Sequence, residues 1–206
     1  MNERGRPVAE KSRVARVTRT TKETDVVVEL AVDGVGTTAI DTGVPFFDHM
    51  LDAFGRHGLF DLTVRAKGDI EVDAHHTVED CGIVLGQAFA QAMGDKRGIN
   101  RFASQVIAMD EALVLVAMDI SGRGQLHWDA AVPAGMCGAF DNSLAKEFMI
   151  AFASNAGLTL HVRQLAGENA HHIIEAVFKA TGRVLCEALS VNPRVADQLP
   201  TTKGAL

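Results

Sequence analysis

The sequence lacks any apolar run close to the roughly 20 residues that a membrane-spanning helix needs, although 47% of its 206 residues are hydrophobic. Its first residues, MNERGRPVAEKSR, contain no apolar segment of the signal-peptide type. These two absences predict a cytoplasmic location and no membrane partner. The hydrophobic content is ample for one well-packed domain or two small ones.

Positive charge is also in short supply. The chain has 20 Lys and Arg residues against 26 Asp and Glu residues, which gives a net charge of −6, and it has no long basic run. A sequence-independent nucleic-acid binder needs a concentrated cationic face to displace counterions. We therefore expect no nucleic-acid partner, and any anionic ligand must be held by a local cluster of basic residues.

Cysteine is the third scarce residue. Cys81, Cys137 and Cys186 are odd in number and far apart, and none belongs to a CxxC pair. We interpret them as reduced structural residues, with a metal or redox role as the alternative.

The pattern of strands, helix, strand and helix occurs twice along the chain. Predicted helices cover VPFFDHMLDAFGRHG and HHTVEDCGIVLGQAFAQAMG in the first half, and NSLAKEFMIAFASNAG and NAHHIIEAVFKATGRVLCEAL in the second. Glu23, Gly34 and Gly36 match Glu111, Gly122 and Gly124 at one offset, with the extra residues of the second half in loops. We therefore predict an α+β fold made of an internally duplicated unit, with helices packed against mixed sheets. The predicted single domain covers 1–206, its repeats about 12–97 and 98–193, and its C-terminal tail 194–206.

Two segments, AHHTVEDCG at 74–82 and AHHIIEA at 170–176, place a histidine pair at a helix start with a glutamate one turn later. On a helix, residues four apart share a face, while the next residue points about 100° away. His75 and Glu79 can therefore bind one cation together, while His76 faces a second. His171, Glu175 and His172 repeat this arrangement, so the two helices offer three ligands to each of two sites.

A fourth ligand for each site is predicted from the repeat. His49 in the first short helix aligns with Glu147 to within about two residues. One predicted site is His49, His76, His171 and Glu175, and the other is Glu147, His172, His75 and Glu79. Imidazole and carboxylate without thiolate suit Mn²⁺, Fe²⁺ or Zn²⁺. A single histidine pair at a helix start is more often a solvated or capping pair, and the second copy is what favours metal.

The remaining candidates are less distinctive. His57, in GRHG, could face a site, whereas His127 and His161 fall in strand patterns and are interpreted as structural. Glu23, in TKET, is either a general base or a polar strand residue. A basic group with hydroxyl neighbours could bind phosphate or could be scattered surface charge. It comprises Arg101, Arg123, Lys179, Thr201, Thr202 and Lys203.

Several motifs in order resemble the imidazoleglycerol-phosphate dehydratase family of histidine biosynthesis. They are TKET, TGVPFFDHML, GDIEVDAHHTVED, GINRF, MDEAL, SGRG, GENAHHIIEAVFKA and the final TTKGAL, and together they span nearly the whole chain. The resemblance implies a ribosomal protein S5 domain 2-like fold. It also implies a hydro-lyase that converts D-erythro-imidazole glycerol phosphate to imidazole acetol phosphate and water.

The resemblance further implies two Mn²⁺ ions per active site, with Fe²⁺ or Zn²⁺ as substitutes, and the two ligand sets given above. The position of Glu147 is often histidine in the family. Glu23 matches an acidic residue beside the substrate glycerol, and we hypothesise that it transfers the proton. The implied assembly is a homo-oligomer of 24 subunits with metal sites at subunit contacts.

The resemblance also implies the residues that bind the small-molecule phosphate substrate. The basic group with its two threonines matches the phosphate positions of the family, where many relatives have serines in place of the threonines. The substrate ring lies at the metals. The substrate contacts so implied are Glu23, His49, His57, His75, Glu79, Arg101, Arg123, His171, Lys179, Thr201, Thr202 and Lys203.

Two other functions are compatible with the residues taken without the resemblance. A dinuclear metallohydrolase acting on a phosphate ester would use the same ligands, but it would carry a bridging carboxylate and release inorganic phosphate. A metal-storage or metal-templated oligomer would need the histidine pairs but not Glu23, Arg101, Arg123 or the tail.

Overall fold

The computed structural model of the chain describes residues 13–204. The remaining residues, 1–12 and 205–206, fall within the predicted domain and its tail but outside the described residues. The strands are β1 (Val14–Thr20), β2 (Thr24–Ala31), β3 (Thr38–Asp41), β4 (Asp61–Gly68), β5 (Phe102–Met109), β6 (Ala112–Asp119), β7 (Gln125–Asp129), β8 (Met136–Cys137), β9 (Phe140–Asp141) and β10 (Thr159–Ala166). The helices are α1 (Pro45–Gly58), α2 (His75–Ala92), α3 (Leu144–Ala156) and α4 (Ala170–Leu189).

Two four-stranded sheets with the same topology form the framework. Their strand orders are β1-β2-β4-β3 and β5-β6-β10-β7. In each, the first three strands are antiparallel and the last pairs in parallel. Strands β2 and β6 alternate buried and less buried residues, as a sheet with one covered face requires. The predicted α+β fold and its internal duplication are therefore confirmed.

The sequence offset between equivalent residues of the two repeats changes in a loop, as predicted. In the parallel pairs, Ile40 lies opposite Val64 and Trp128 lies opposite Val162. Trp128 follows Ile40 by 88 positions (128 − 40), whereas Val162 follows Val64 by 98 (162 − 64). The ten additional residues lie between β7 and α3 and contain the short β8–β9 hairpin, which the sequence did not predict.

The four helices lie between the two sheets. Helices α1 and α2 cover the first sheet and α4 covers β5 and β6 of the second, while α2 packs on α3 and α1 packs on α4. Two glycines allow these crossings, because a Cβ on Gly86 would strike the Phe152 carbonyl and one on Gly182 would strike the Phe54 carbonyl. The two helix pairs are thus equivalent in the two repeats, which places the histidine pairs at equivalent ends.

The structure also describes the cysteines, the end of β4 and the length of the helices. All three cysteines are free, and burial raises the pKa of the Cys81 thiol. Strand β4 ends at Gly68, and residues 69–73 form a turn before α2. Within residues 13–204, every helix is too short or too polar to cross a membrane.

Candidate metal centre

Each histidine pair is placed at a helix start by a polar residue two positions earlier. The Asp73 Oδ1 atom accepts a hydrogen bond of 2.7 Å from the backbone N–H of His75. In the second repeat, Asn169 is the N-cap of α4 and its Oδ1 accepts from the backbone N–H of His171 at 2.9 Å. These hydrogen bonds satisfy backbone N–H groups that would otherwise be unpaired at the helix starts. They also fix the histidine pairs in the first helical turn.

The structure brings His49, His171 and Glu175 together, although His49 is more than 120 residues from the other two in sequence. One ligand atom from each lies within 4.8 Å of the others, and within residues 13–204 this is the only group of three such side chains found so close. The Glu175 Oε2 atom lies 3.1 Å from His171 Nε2 and 3.4 Å from His49 Nε2. Three of the four predicted ligands of one site therefore converge within one chain, and His76 is not among them.

Glu175 is buried yet carries a negative charge in this cluster. Burial alone would raise the pKa of Glu175, but the hydrogen bond and charge of Lys179, together with His49 and His171, hold that pKa below its usual value. The Lys179 Nζ atom lies 2.5 Å from Glu175 Oε1, which leaves Oε2 facing the two imidazoles. The carboxylate is thus ready to bind a cation.

A small aromatic group orients His171. Phe46, at the start of α1, meets the His171 ring edge-on with centroids 5.0 Å apart. Phe46 in turn contacts Phe140 of the β8–β9 hairpin, with centroids 5.3 Å apart. The sequence did not predict this contact, because it depends on a hairpin that only the second repeat contains.

In the other helix pair, the residues equivalent to this cluster are His75, Glu79 and Glu147, and among the residues that the structure describes their ligand atoms do not meet within 4.8 Å. His75 Nε2 lies 4.0 Å from Glu79 Oε2. Glu147 is the structural counterpart of His49, because Leu59 and Gly157, which end α1 and α3 in left-handed conformations, are also 98 positions apart (157 − 59). The alignment of His49 with Glu147 that we predicted from sequence is therefore the alignment in the fold.

The second histidine of each pair points to a carboxylate that we did not predict as part of the site. His172 Nδ1 lies 2.7 Å from Glu111 Oε2, and His76 Nδ1 lies 3.0 Å from Asp69 Oδ2. These hydrogen bonds raise the pKa of each histidine. The bond from His172, followed by that from the Asn169 backbone, lowers the pKa of Glu111 to about 2. The one indication of Glu111 in the sequence was its alignment with Glu23 between the two repeats.

Glu23 lies near this group but is not hydrogen-bonded within it. Its Oε2 atom is 4.0 Å from His76 Nδ1, and 56% of its side chain is exposed. It lies in the β1–β2 turn, where its backbone N–H donates to the Thr21 hydroxyl. The carboxylate is therefore available to a ligand beside the histidine pair.

The other histidines lie apart from the cluster. His57, in the last turn of α1, lines a cavity of about 430 Å³ with Arg183 and Cys186. Burial, with the charges of Lys179 and Arg183, lowers the pKa of His57. His127 and His161 are in β7 and β10, as predicted, and their exposed rings stack with centroids 4.2 Å apart.

The predicted phosphate residues form two separate groups. Arg101 pairs with Asp119 at 2.7 Å and donates to the Pro200 carbonyl at 2.8 Å, next to the exposed segment 202–203. Arg123 donates to the Ser121 carbonyl at 3.4 Å, close to the same strand end. Thr201 accepts a hydrogen bond from the Lys203 backbone.

Lys179 lies at the opposite end of β5. Its Nζ atom is 3.6 Å from the sulfur of Met109, the last residue of that strand, whereas Arg101 immediately precedes the first. Along the strand, eight residue steps separate Arg101 from Met109, which at about 3.3 Å per residue is roughly 25 Å. A single chain thus keeps its metal cluster and its arginine group apart.

The donor set fits a divalent transition metal. It combines imidazole nitrogens with a buried carboxylate and has no thiolate, which suits Mn²⁺, Fe²⁺ or Zn²⁺. Three protein ligands do not fill the coordination shell of such an ion, so a substrate or a further residue can supply the remaining ligands.

The chain is similar over most of its length to proteins of one family. The sequence model of the imidazoleglycerol-phosphate dehydratase family matches residues 42–185 of this chain. The imidazoleglycerol-phosphate dehydratase of Jannaschia sp. is 56% identical over 94% of this chain and 100% of its own length. That of Thermoanaerobacter pseudethanolicus is 57% identical with the same coverage.

Solved structures of this kind also share the fold. The crystal structure of the Staphylococcus aureus enzyme has a TM-score of 0.79 and 38% identity, covering 87% of this chain and 99% of that one. The Pyrococcus furiosus enzyme, solved in complex with (S)-C348, has the same score and identity, covering 92% and 100%. The chain is therefore a lyase of the dehydratase class. It belongs to the imidazoleglycerol-phosphate dehydratase family, which serves histidine biosynthesis.

Proposed function

We propose that the chain is a Mn²⁺-dependent enzyme that converts D-erythro-imidazole glycerol phosphate to imidazole acetol phosphate and water. The observation that carries this proposal is the convergence of His49, His171 and Glu175. These residues come from two repeats and would hold one ion, with His76 as the fourth ligand. Glu147, His75, Glu79 and His172 would hold the second. We further propose that the enzyme works in the cytoplasm.

The bound ions and the protein side chains would contribute different parts of the chemistry. The C–H proton to be removed is weakly acidic and hydroxide is a poor leaving group, so a bound metal would supply Lewis-acid stabilisation to the substrate imidazole. Glu23 is exposed beside the histidine pair and would accept the neighbouring proton. The electron pair of the broken C–H bond would form a C=C bond as the C–O bond of the adjacent carbon breaks, and the hydroxyl group would leave as water. The resulting enol would then tautomerise to the ketone.

The phosphate group would be held by the basic residues and the two threonines. Arg123 and Lys203 offer charge, while Thr201 and Thr202 offer hydroxyl groups beside the carbonyl that Arg101 holds. Bidentate or charge-assisted hydrogen bonds to phosphate oxygens suit this set. In this proposal, residues 194–206 are the substrate-binding tail of a single domain with repeats at about 12–97 and 98–193.

The separation between Lys179 and Arg101 supports an active site built from several subunits. A phosphate contacted by both cannot bind within one chain, because roughly 25 Å of strand lies between them at about 3.3 Å per residue. Neighbouring subunits in a homo-oligomer, for which we propose 24 copies, would bring Lys179 and the metal cluster of one chain beside Arg101 of another. They would likewise bring His76 and His172 to the two ligand sets.

The deciding experiment is an assay of the purified, metal-stripped chain with imidazole glycerol phosphate. Ketone formation on addition of Mn²⁺, but not with buffer alone, is the expected result. Inorganic phosphate is measured in the same samples, because its release would indicate a metallohydrolase instead. Absence of ketone with Mn²⁺, Fe²⁺ and Zn²⁺ would overturn the proposal.

A further inference from the structure

The second histidine of each pair has only one ring nitrogen free to bind a ligand. The Nδ1 atom of His172 is held by Glu111 at 2.7 Å, and that of His76 is held by Asp69 at 3.0 Å. The first histidines differ, since His75 and His171 approach the glutamate four residues later through Nε2. Both repeats thus contain the same pairing of a second histidine with a carboxylate.

The carboxylate that contacts each second histidine determines which ring nitrogen carries the proton. An ionised carboxylate only accepts hydrogen bonds, so the proton lies on Nδ1 and the Nε2 lone pair is left free. Around His172, Asp110 Oδ2 is 3.6 Å from Nε2 and largely exposed, which is too far for a hydrogen bond. Carboxylates in this position orient metal-binding imidazoles and increase their basicity.

The two carboxylates come from different loops. Glu111 lies in the β5–β6 turn, and its repeat counterpart is Glu23 in the β1–β2 turn (111 − 23 = 88). Glu23 is 4.0 Å from His76, beyond hydrogen-bond distance. In the first repeat the contact is made instead by Asp69, the residue after β4, whereas the residue after β10 is Gly167 and has no side chain to offer.

Glu111 is also immobilised, unlike Glu23. Its Oε1 atom accepts hydrogen bonds from the backbone of Glu168 at 3.3 Å and of Asn169 at 2.9 Å, while Oε2 binds His172. A carboxylate with these three contacts is poorly suited to take a proton from a substrate. Its counterpart Glu23 has an exposed side chain and no such restraint.

We propose that Asp69 and Glu111 are positioning residues that hold His76 and His172 with Nε2 presented to the metals, and that Asp69 thereby leaves Glu23 free for the substrate. This inference rests on the proposed function, in which both histidines are metal ligands. It assigns the repeat-related glutamates different tasks: Glu111 acts through His172, and Glu23 acts on the substrate.

Metal binding by the full-length, metal-free protein tests the inference. Isothermal titration with Mn²⁺ is carried out on wild type, Asp69→Asn, Glu111→Gln and Glu23→Gln. The first two variants are expected to weaken Mn²⁺ binding about 10- to 100-fold in one class of site each. Glu23→Gln is expected to bind Mn²⁺ normally. Asp69→Glu, which keeps the carboxylate, is expected to recover most of the affinity.

The control is Glu29→Gln. Glu29 pairs with Arg16 on the first sheet, and its side chain is 47% exposed, close to the 44% of Glu111. The melting temperature of each metal-free variant separates loss of binding from loss of folding. If Glu111→Gln does not fold, the comparison of Asp69→Asn with Asp69→Glu decides.

The outcomes distinguish failure of the proposed function from failure of this inference alone. A wild-type protein that takes up no Mn²⁺ would overturn the proposed function and this inference together. A wild type that binds Mn²⁺, with Asp69→Asn and every folded Glu111 variant binding equally well, would overturn the inference alone. Weakened binding confined to the two positioning variants supports it.

Discussion

The Nε2 atom of His49 lies 3.4 Å from the Oε2 atom of Glu175, although 126 residues separate them in sequence. The contact joins the first helix of one repeat to the last helix of the other. It depends on the close crossing of α1 and α4 at Gly182. The metal cluster is therefore a product of how the two repeats pack on each other.

The buried ion pair of Glu175 and Lys179 should stabilise the protein even without metal. Glu175→Ala leaves the Lys179 charge, whose side chain is only 19% exposed, without its partner. We expect a loss of about 1–3 kcal/mol in the free energy of unfolding, measured by urea denaturation of metal-free protein. Glu175→Gln combined with Lys179→Met should recover most of this stability, because neither charge is then left unpaired. Metal binding should not recover, and a double variant that binds Mn²⁺ normally would contradict the ligand role of Glu175.

Glu147 should determine the number of ions bound. Glu147→Ala removes one ligand from one set only, so the number of tightly bound Mn²⁺ ions per chain should fall by half, as measured by metal analysis after gel filtration. His49→Ala should do the same for the other set. Glu147→His should keep both ions, because the repeat counterpart is a histidine. Glu187→Ala, which removes an exposed carboxylate of α4, serves as the control. Full metal content in Glu147→Ala would show that Glu147 is no ligand.

The sequence predicted the parts of the fold and site that repeat. The periodicity of α2 and α4, the paired histidines and the alignment of His49 with Glu147 are local or duplicated patterns, and the structure contains all of them. The β8–β9 hairpin was missed because only the second repeat has it. Asp69 was missed because its contact with His76 depends on how the turn before α2 folds back, and residue spacing does not reveal that geometry.

Glu23→Gln should separate chemistry from metal binding. Its side chain lies beside His76 but makes no hydrogen bond to it, so the amide should leave the ligands in place while removing the proton acceptor. We expect kcat to fall about 10²- to 10⁴-fold with an unchanged Mn²⁺ content. Turnover near that of wild type at full metal occupancy would exclude Glu23 as the base.

The two arginines near the tail should differ in their effect on stability. Arg123→Ala should raise KM for the phosphate substrate about tenfold or more, through loss of a charge-assisted hydrogen bond, and should leave the melting temperature unchanged. Arg101→Ala should raise KM and also lower the melting temperature, because it leaves Asp119 unpaired and releases the Pro200 carbonyl. Arg101→Lys should recover stability only in part, since lysine cannot reproduce the two-point contact with Asp119. Equal melting temperatures for Arg101→Ala and wild type would contradict this structural role.

Removal of metal should disturb the assembly as well as the activity. Within residues 13–204, His49, His171 and Glu175 form the one cluster of ligand atoms, and His76 and His172 lie outside it. Each proposed site therefore needs a neighbouring subunit to be complete. Metal binding would then be part of the free energy of association. Treatment with EDTA followed by size-exclusion chromatography should yield smaller species without activity, and added Mn²⁺ should restore both size and turnover. A metal-free particle of unchanged size would show that other surfaces suffice for assembly, and it would separate the metal sites from the subunit contacts.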